Sequence, residues 1–473
     1  MQQQEKSSKP SLFYSLTILT TVVAIISVGL LVFEASIQMM LFISIITIIP
    51  FIMKLGSSYK DVEKTIFNSM LKALQPSLIL LTVGVLIGSW IASGTVPAVI
   101  YYGIQSISPE YFLVTTLIFC SIVSLATGSS WATLGTAGIA MMGIGHSLGV
   151  HVGVTAGAII SGAYFGDKLS PLSDSTNLSP AVAGAELFTH IKHMLWTTVP
   201  AYIITAIIFT VIGFNYGDQD ASSAEVNQLT TYLADNFNLG IASLIPIIVL
   251  FTLLITKKPA ITSIFMGALA GAFIAIFYQG MSVSGILDVF YNGFYVDSGI
   301  VVIDTLLQRG GLTSMVNLVI LFLFALGLGG LLQKSGVLET IILSFASKIK
   351  SKGMLVFVTV IVAYFMLALG GAFSFSAVMT GTIMKPLFDK FNLKPENLSR
   401  IIEDTATQSC SLPPWTASGL FTAAALGVSP LVYIPFCFLA IITPIFTLIY
   451  GFTGFTLTEK EMPMKQKNHF VEA

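Results

Sequence analysis

Two polar runs interrupt an otherwise apolar chain. The first is Gly162-Ala-Tyr-Phe-Gly-Asp-Lys-Leu-Ser-Pro-Leu-Ser-Asp-Ser-Thr-Asn-Leu-Ser179, and the second runs from Glu403 to Ser418. Two short Gly/Ser/Thr-rich stretches precede them, Ala126-Thr-Gly-Ser-Ser-Trp131 and Gly370-Gly-Ala-Phe-Ser-Phe-Ser376. Carboxylates, hydroxyls and backbone carbonyls freed where a helix breaks are oxygen ligands, which suit a small hard cation such as Na+. Asp167, Ser170, Ser173, Asp174 and Thr176, with Thr127, Ser129 and Ser130, form one candidate cluster. Asp404, Thr407, Ser409 and Thr416, with Ser374 and Ser376, form its counterpart. The N-terminal ends of half-helices at the breaks would instead favour an anionic group, so a small carboxylate is the competing ligand.

A carboxyl buried away from water holds a proton more readily than a charge, unless a cation is bound beside it. One aspartate can then carry H+ or Na+, and a protein that changes access only when one is bound is an antiporter. Asp167, Asp174 and Asp404 are the candidates for that switch. Glu403 lies about 100° around the helix from Asp404 and is expected to face elsewhere. Lys168 either neutralises Asp167 or Asp174 or contacts an anionic substrate. The bland alternative is an extra-membrane loop, with Asp167 and Lys168 a surface pair and Asp174 a helix cap.

The elements that hold these residues follow from composition. Of 473 residues, 55% are hydrophobic and 10% charged, and mean hydropathy is +0.88. A soluble protein carries about a quarter charged residues, so repeated apolar runs read as membrane spans. Spans are expected at 12–33, 37–53 and 76–93, with a charged amphipathic connector at 54–72. Apolar arms at 111–125 and 132–145 flank the first tip. At about 15 residues, or about 22 Å, each is too short to cross, so the pair reads as a re-entrant hairpin. A broken helix, 151–165 and 178–185, and a span at 195–214 complete the first half. The second half repeats the order: spans at 240–256, 260–278 and 315–332, arms at 354–369 and 378–388, an interrupted segment at 398–426 and a span at 431–450.

Gly88 and Gly330, Ser93 and Ser335, Gly94 and Gly336, and Gly128 and Gly370 all share one separation. Five crossings per half invert the second half relative to the first. The expected fold is an all-α polytopic membrane protein of two inverted five-span repeats, each with a re-entrant hairpin and a broken helix. It divides into a cytoplasmic tail (1–11), repeat 1 (12–214), an acidic extracellular linker (215–239), repeat 2 (240–452) and a cytoplasmic tail (453–473). The N-terminal segment reads as a retained tail and first span, not a removed signal. Lysines cluster on the side holding both termini, from Lys6, Lys9, Lys54, Lys60, Lys64 and Lys72 through Lys257, Lys258, Lys348, Lys350 and Lys352 to Lys460, Lys465 and Lys467. Arg309 is the exception on the opposite side. By the positive-inside rule both termini are cytoplasmic.

Other residues read plainly. His146, His151, His190 and His193 are interfacial. Trp131 is packing, while Trp415 is placed to line a substrate cavity. Gly327, Gly329 and Gly330 suit close helix packing. Cys120, Cys410 and Cys437 lie in or beside apolar spans and form no disulfide framework. No HExxH or GxGD protease motif and no P-loop is present, and no polybasic tail suggests nucleic acid. A passive channel is the remaining alternative.

Gly166-Asp-Lys-Leu-Ser-Pro-Leu-Ser-Asp-Ser-Thr-Asn177, preceded by Ala163-Tyr-Phe165, resembles the signature of the NhaC-type Na+/H+ antiporters. Thr127-Gly-Ser-Ser-Trp131 and Gln308-Arg-Gly-Gly-Leu312 are similar to that family as well. The resemblance implies a secondary transporter of the ion-transporter superfamily, exchanging Na+ for H+ in the bacterial cytoplasmic membrane. It carries over Asp167, Ser170, Asp174 and Thr176 as site residues. It also implies no cofactor beyond the transported ion. The family includes members that exchange malate plus protons for lactate plus Na+. A homodimer is expected by analogy alone.

Overall fold

The computed structural model describes residues 10–171, 173–216, 224–256, 258–300, 303–304, 307–346 and 349–460. Most of both expected tails, part of the acidic linker with Asp218 and Asp220, and Lys257 and Lys348 lie outside the described residues. The described chain is helical throughout, and its one β-bridge joins Leu393 to Glu459. Among the described residues five helices are long and apolar enough to cross a membrane: Leu12–Gly29, Pro109–Thr127, Leu187–Phe214, Leu312–Lys334 and Lys352–Gly370. Three bent helix pairs raise the number to 8. This is a multi-pass membrane protein.

The hairpin arms are longer than the sequence suggested. Pro109–Thr127 and Lys352–Gly370 each have 19 residues, about 28 Å, and pass the length test for a full crossing. The polar ends do not stop these helices. Each runs on until a glycine with positive φ turns it, Gly128 at 68° and Gly371 at 65°. The return arms are residues 130–147, with a π-turn at Leu134–Gly138, and Phe373–Lys390.

Other segments also gained helix. The connector at 54–72 is the helix Tyr59–Leu71, capped by Ser58. Residues 95–109 contain the helix Thr95–Ser106, bent 67° from the preceding helix at Gly94. The linker holds Ala224–Asn236. The expected last span is split into Pro430–Tyr433, a short 3-10 turn and Phe438–Thr453.

Positive-φ glycines and helix caps recur along the chain at a nearly constant separation. Gly94 and Gly336 turn at φ 73° and 71°. Beyond them the register grows by one residue, so Gly128 matches Gly371 rather than Gly370. The same register pairs the caps Ser173 with Thr416 and Glu186 with Ser429, and the turn Gly184 with Gly427. The close packing expected at Gly327, Gly329 and Gly330 is present. A Cβ at Gly330 would sit 1.8 Å from Ser69 Oγ, and one at Gly329 3.2 Å from Gly370 Cα.

A C-terminal strap, residues 454–460, folds back on the start of the helix at 395–407. Lys394 N–H donates to Thr458 O (3.0 Å), and Thr458 N–H donates to Asn397 Oδ1 (3.1 Å). Arg400 Nη1 donates to Thr456 Oγ1 (2.7 Å).

Candidate functional site

The first break lies later than expected. The helix Val152–Leu169 continues through Asp167 and Lys168, and of the described residues only 170, 171 and 173 are non-helical before Asp174–Ala183 begins. Helix continuity fixes the geometry, because adjacent residues project about 100° apart. Asp167 turns to the first hairpin tip, where Ser130 Oγ donates to its Oδ2 (2.6 Å). Its Oδ1 is buried and accepts no hydrogen bond of good geometry. Lys168 turns the other way and pairs with Asp404, both 0% exposed. Lys168 therefore neutralises neither Asp167 nor Asp174 by direct contact.

Asp404 is enclosed. Besides Lys168, its Oδ1 accepts from Thr197 Oγ1 (3.1 Å), its Oδ2 accepts from Thr447 Oγ1 (2.6 Å), and Arg400 Nε lies 4.0 Å from Oδ2. Glu403, which the sequence was expected to turn away, is also fully buried. Its Oε2 accepts from Ser179 Oγ and Thr407 Oγ1, both at 2.6 Å, and its Oε1 accepts no hydrogen bond of good geometry. Glu403 and Asp404 sit on a π-turn, Glu403–Thr407, whose residues are all buried.

Lys168, Asp404 and Arg400 thus form one buried ion-paired group, and Asp167 and Glu403, each next in sequence to a member of it, are buried on hydroxyls of their own. Asp174 is exposed at the first turn of its helix and makes no ion pair with these groups among the described residues.

Both hairpin tips and both breaks meet at one cavity of about 760 Å³. Thr127, Ser129, Ser130 and Trp131 line it from the first tip and Ser374 from the second. Asp167, Ser173, Asp174 and Ser175 line it from the first break, and Thr407, Cys410 and Ser418 from the second. Lys72 and Lys258 stand on its wall. Trp131 stacks on Phe421, with ring centroids 4.4 Å apart.

Most of the remaining candidates bond the backbone. Thr176 Oγ1 donates to the carbonyls of Asp167 (3.1 Å) and Lys168 (3.0 Å), closing the end of the broken helix. Ser170 Oγ donates to Leu125 O (3.1 Å), and Ser376 Oγ to Ala363 O (2.7 Å). Thr416 caps the helix Ala417–Leu426. Ser409 bonds Tyr364 Oη (3.1 Å). Trp415 Nε1 donates to Ala368 O (2.6 Å), and Trp415 is not among the lining residues of the cavity.

A multi-pass helical protein whose buried charges adjoin a cavity between two broken helices has the architecture of a membrane transporter. The profile of the Na+/H+ antiporter family matches residues 162–455. The chain belongs to that family. It is 42% identical over 445 residues to the malate-2H+/Na+-lactate antiporter of Bacillus subtilis (strain 168), covering 94% of this chain and 95% of that protein. It is 37% identical to the Na+/H+ antiporter NhaC of Alkalihalophilus pseudofirmus, covering 94% and 96%. Among solved structures, the YdaH transporter of Alcanivorax borkumensis gives a TM-score of 0.39 at 13% identity, covering 94% of this chain and 98% of that one.

Proposed function

We propose that this protein exchanges Na+ for H+ across the bacterial cytoplasmic membrane by alternating access. The charge balance of the buried groups carries the reading. Lys168 and Arg400 are two cations, and Asp167, Glu403 and Asp404 are three carboxyls. Fully ionised, the five together are one negative charge in excess. A single proton or a single Na+ cancels that excess, and a buried charge without a partner is costly. Asp404 is already tied to Lys168, so the exchangeable site falls on Asp167 and Glu403. Each has one buried oxygen that accepts no hydrogen bond of good geometry, with the hydroxyl of Ser173 beside Asp167 and that of Ser175 beside Glu403. The hydroxyls of Ser130, Ser179 and Thr407 supply further oxygen ligands when Na+ replaces the proton.

The halves are read as inverted repeats of 12–214 and 240–452, with both termini cytoplasmic. The lysines at the cavity wall, Lys72 and Lys258, support an opening to the cytoplasm.

Proteoliposomes loaded with a pH-sensitive dye test the reading. A Na+ gradient should drive proton movement in the opposite direction, and Asp167→Asn should abolish it. Na+ flux that proceeds without any proton response would make the protein a channel instead. The 42% identity to the malate/lactate exchanger supports a second reading, in which an organic acid travels too. Proton-linked Na+ flux that appears only when malate and lactate are present would establish that reading over simple exchange.

A further inference from the structure

A second cleft, of about 290 Å³, opens elsewhere on the same helices. The return arm of the first hairpin lines the large cavity at 130–132 and this cleft at 139–146; the helix Leu74–Ala92 lines them at Ile79 and at Ile87 and Ile91. Seven or more residues of helix separate the two, at least about 10 Å. Between them Trp131 stacks on Phe421. The cleft walls are largely apolar, with Ile87, Ile139, Met142 and Val432 among them. Its fixed positive charge is Arg309.

The backbone at Arg309 is anchored to neighbouring elements. Its carbonyl accepts from Phe294 N–H (3.0 Å), and two residues on, Gly311 N–H donates to Gly84 O (2.7 Å). Its guanidinium lies against Gly427, where a Cβ would approach Nη1 and Nη2 to 2.6 Å. Its one side-chain hydrogen bond among the described residues is long, Nη1 to Leu426 O at 3.5 Å. Among the described residues no carboxylate forms an ion pair with it. A guanidinium has five donors in a fork that matches a carboxylate. Here that fork faces a cleft near the small end of ligand-pocket volumes, about 300–1,000 Å³.

We infer that this cleft binds a small carboxylate of two to four carbons, its carboxylate on Arg309 and its carbon chain on the apolar walls. The site lies at the opposite end of the broken helices from the carboxyl-lined cavity. It stands independently of the Na+/H+ reading, since it concerns binding and not flux.

The chain has two arginines, and Arg400 is fully buried. Phenylglyoxal, which modifies arginine, therefore reports on Arg309 in the purified wild-type protein, read by mass spectrometry of the peptide. Acetate, lactate or succinate should slow the modification several-fold, and chloride at equal ionic strength should not. Equal protection by chloride, or none by any carboxylate, overturns the assignment. Calorimetric titration with lactate should show Arg309→Gln weakening binding about tenfold or more, with Arg309→Lys intermediate. Unchanged affinity in Arg309→Gln would reduce the guanidinium to a cap on the helix Ala417–Leu426.

Discussion

Lys168 meets Asp404 across a distance of more than two hundred residues in sequence, and this pairing decides which carboxyls stay free. Removing one partner of a buried ion pair costs about 3–5 kcal/mol. Lys168→Met should therefore lower the unfolding temperature in detergent sharply, whereas Asp174→Asn, at an exposed position, should leave it unchanged. Glu403→Gln keeps the shape of the side chain and removes its charge. It should weaken Na+ dependence of exchange by more than about tenfold, measured as the Na+ concentration for half-maximal proton flux. The sequence made Asp167 and Asp404 visible, as acids inside polar breaks. It hid Glu403, because the reasoning that only one of two neighbours faces the site presupposes a helix with an outer face. Every residue from Glu396 to Ser411 is buried, so that helix has none. The partner of Lys168 was hidden too, because it lies in the other half of the chain.

At the scale of the element, the helix Val152–Leu169 carries two Gly-x-x-x-Gly pairs that its polar end had overshadowed. A Cβ at Gly162 would meet Leu117 O at 2.4 Å, and one at Gly166 would meet Ser121 O at 2.5 Å. A Cβ at Gly153 would meet Val432 O at 2.4 Å and one at Gly157 Phe436 O at 2.3 Å. Backbones in direct contact fix the distance from Asp167 to Ser130. Gly162→Val should cost about 1–3 kcal/mol by overpacking and lose exchange activity even in the protein that remains folded, as judged by transport normalised to monodisperse protein. At the start of the helix Leu187–Phe214, the Glu186 carboxylate accepts from Phe188 N–H (3.0 Å) and from Thr189 N–H and Oγ1 (each 2.7 Å). The Phe188 N–H first, then the Thr189 hydroxyl and N–H, hold this carboxyl below the usual glutamate value. A carboxyl depressed in the folded state adds stability above its ordinary pKa, and that stability is lost as pH falls through the depressed one. Glu186→Gln should therefore show a smaller drop in unfolding temperature between about pH 5 and about pH 3.

At the scale of the molecule, two clefts open at different depths of one set of helices, with an aromatic stack between them. The three cysteines, Cys120, Cys410 and Cys437, are buried, so an added thiol reports with little background. Thr127→Cys, on the wall of the larger cavity, should react with an impermeant maleimide from the cytoplasmic side in inside-out vesicles and stay protected in right-side-out ones. Labelling from the outer side alone would reverse the proposed orientation. The helical, multi-pass character was legible because long apolar runs are separated by glycine turns and polar caps. The depth of the hairpins was not. Hydropathy falls where Ala126 and Thr127 begin, yet the backbone there still closes helical hydrogen bonds, and only the left-handed glycine ends the turn.

The stack of Trp131 on Phe421 has an optical consequence. Of the four tryptophans, Trp90 is buried in the packing and Trp196 is 53% exposed on the outer surface. Trp415 is fixed on a carbonyl, while Trp131 sits where the larger cavity is closed off. Its emission is therefore sensitive to whether water or Phe421 covers the indole. A change in intrinsic fluorescence on adding Na+, absent in Trp131→Phe, would let the movement of this barrier be timed in solution without any attached label.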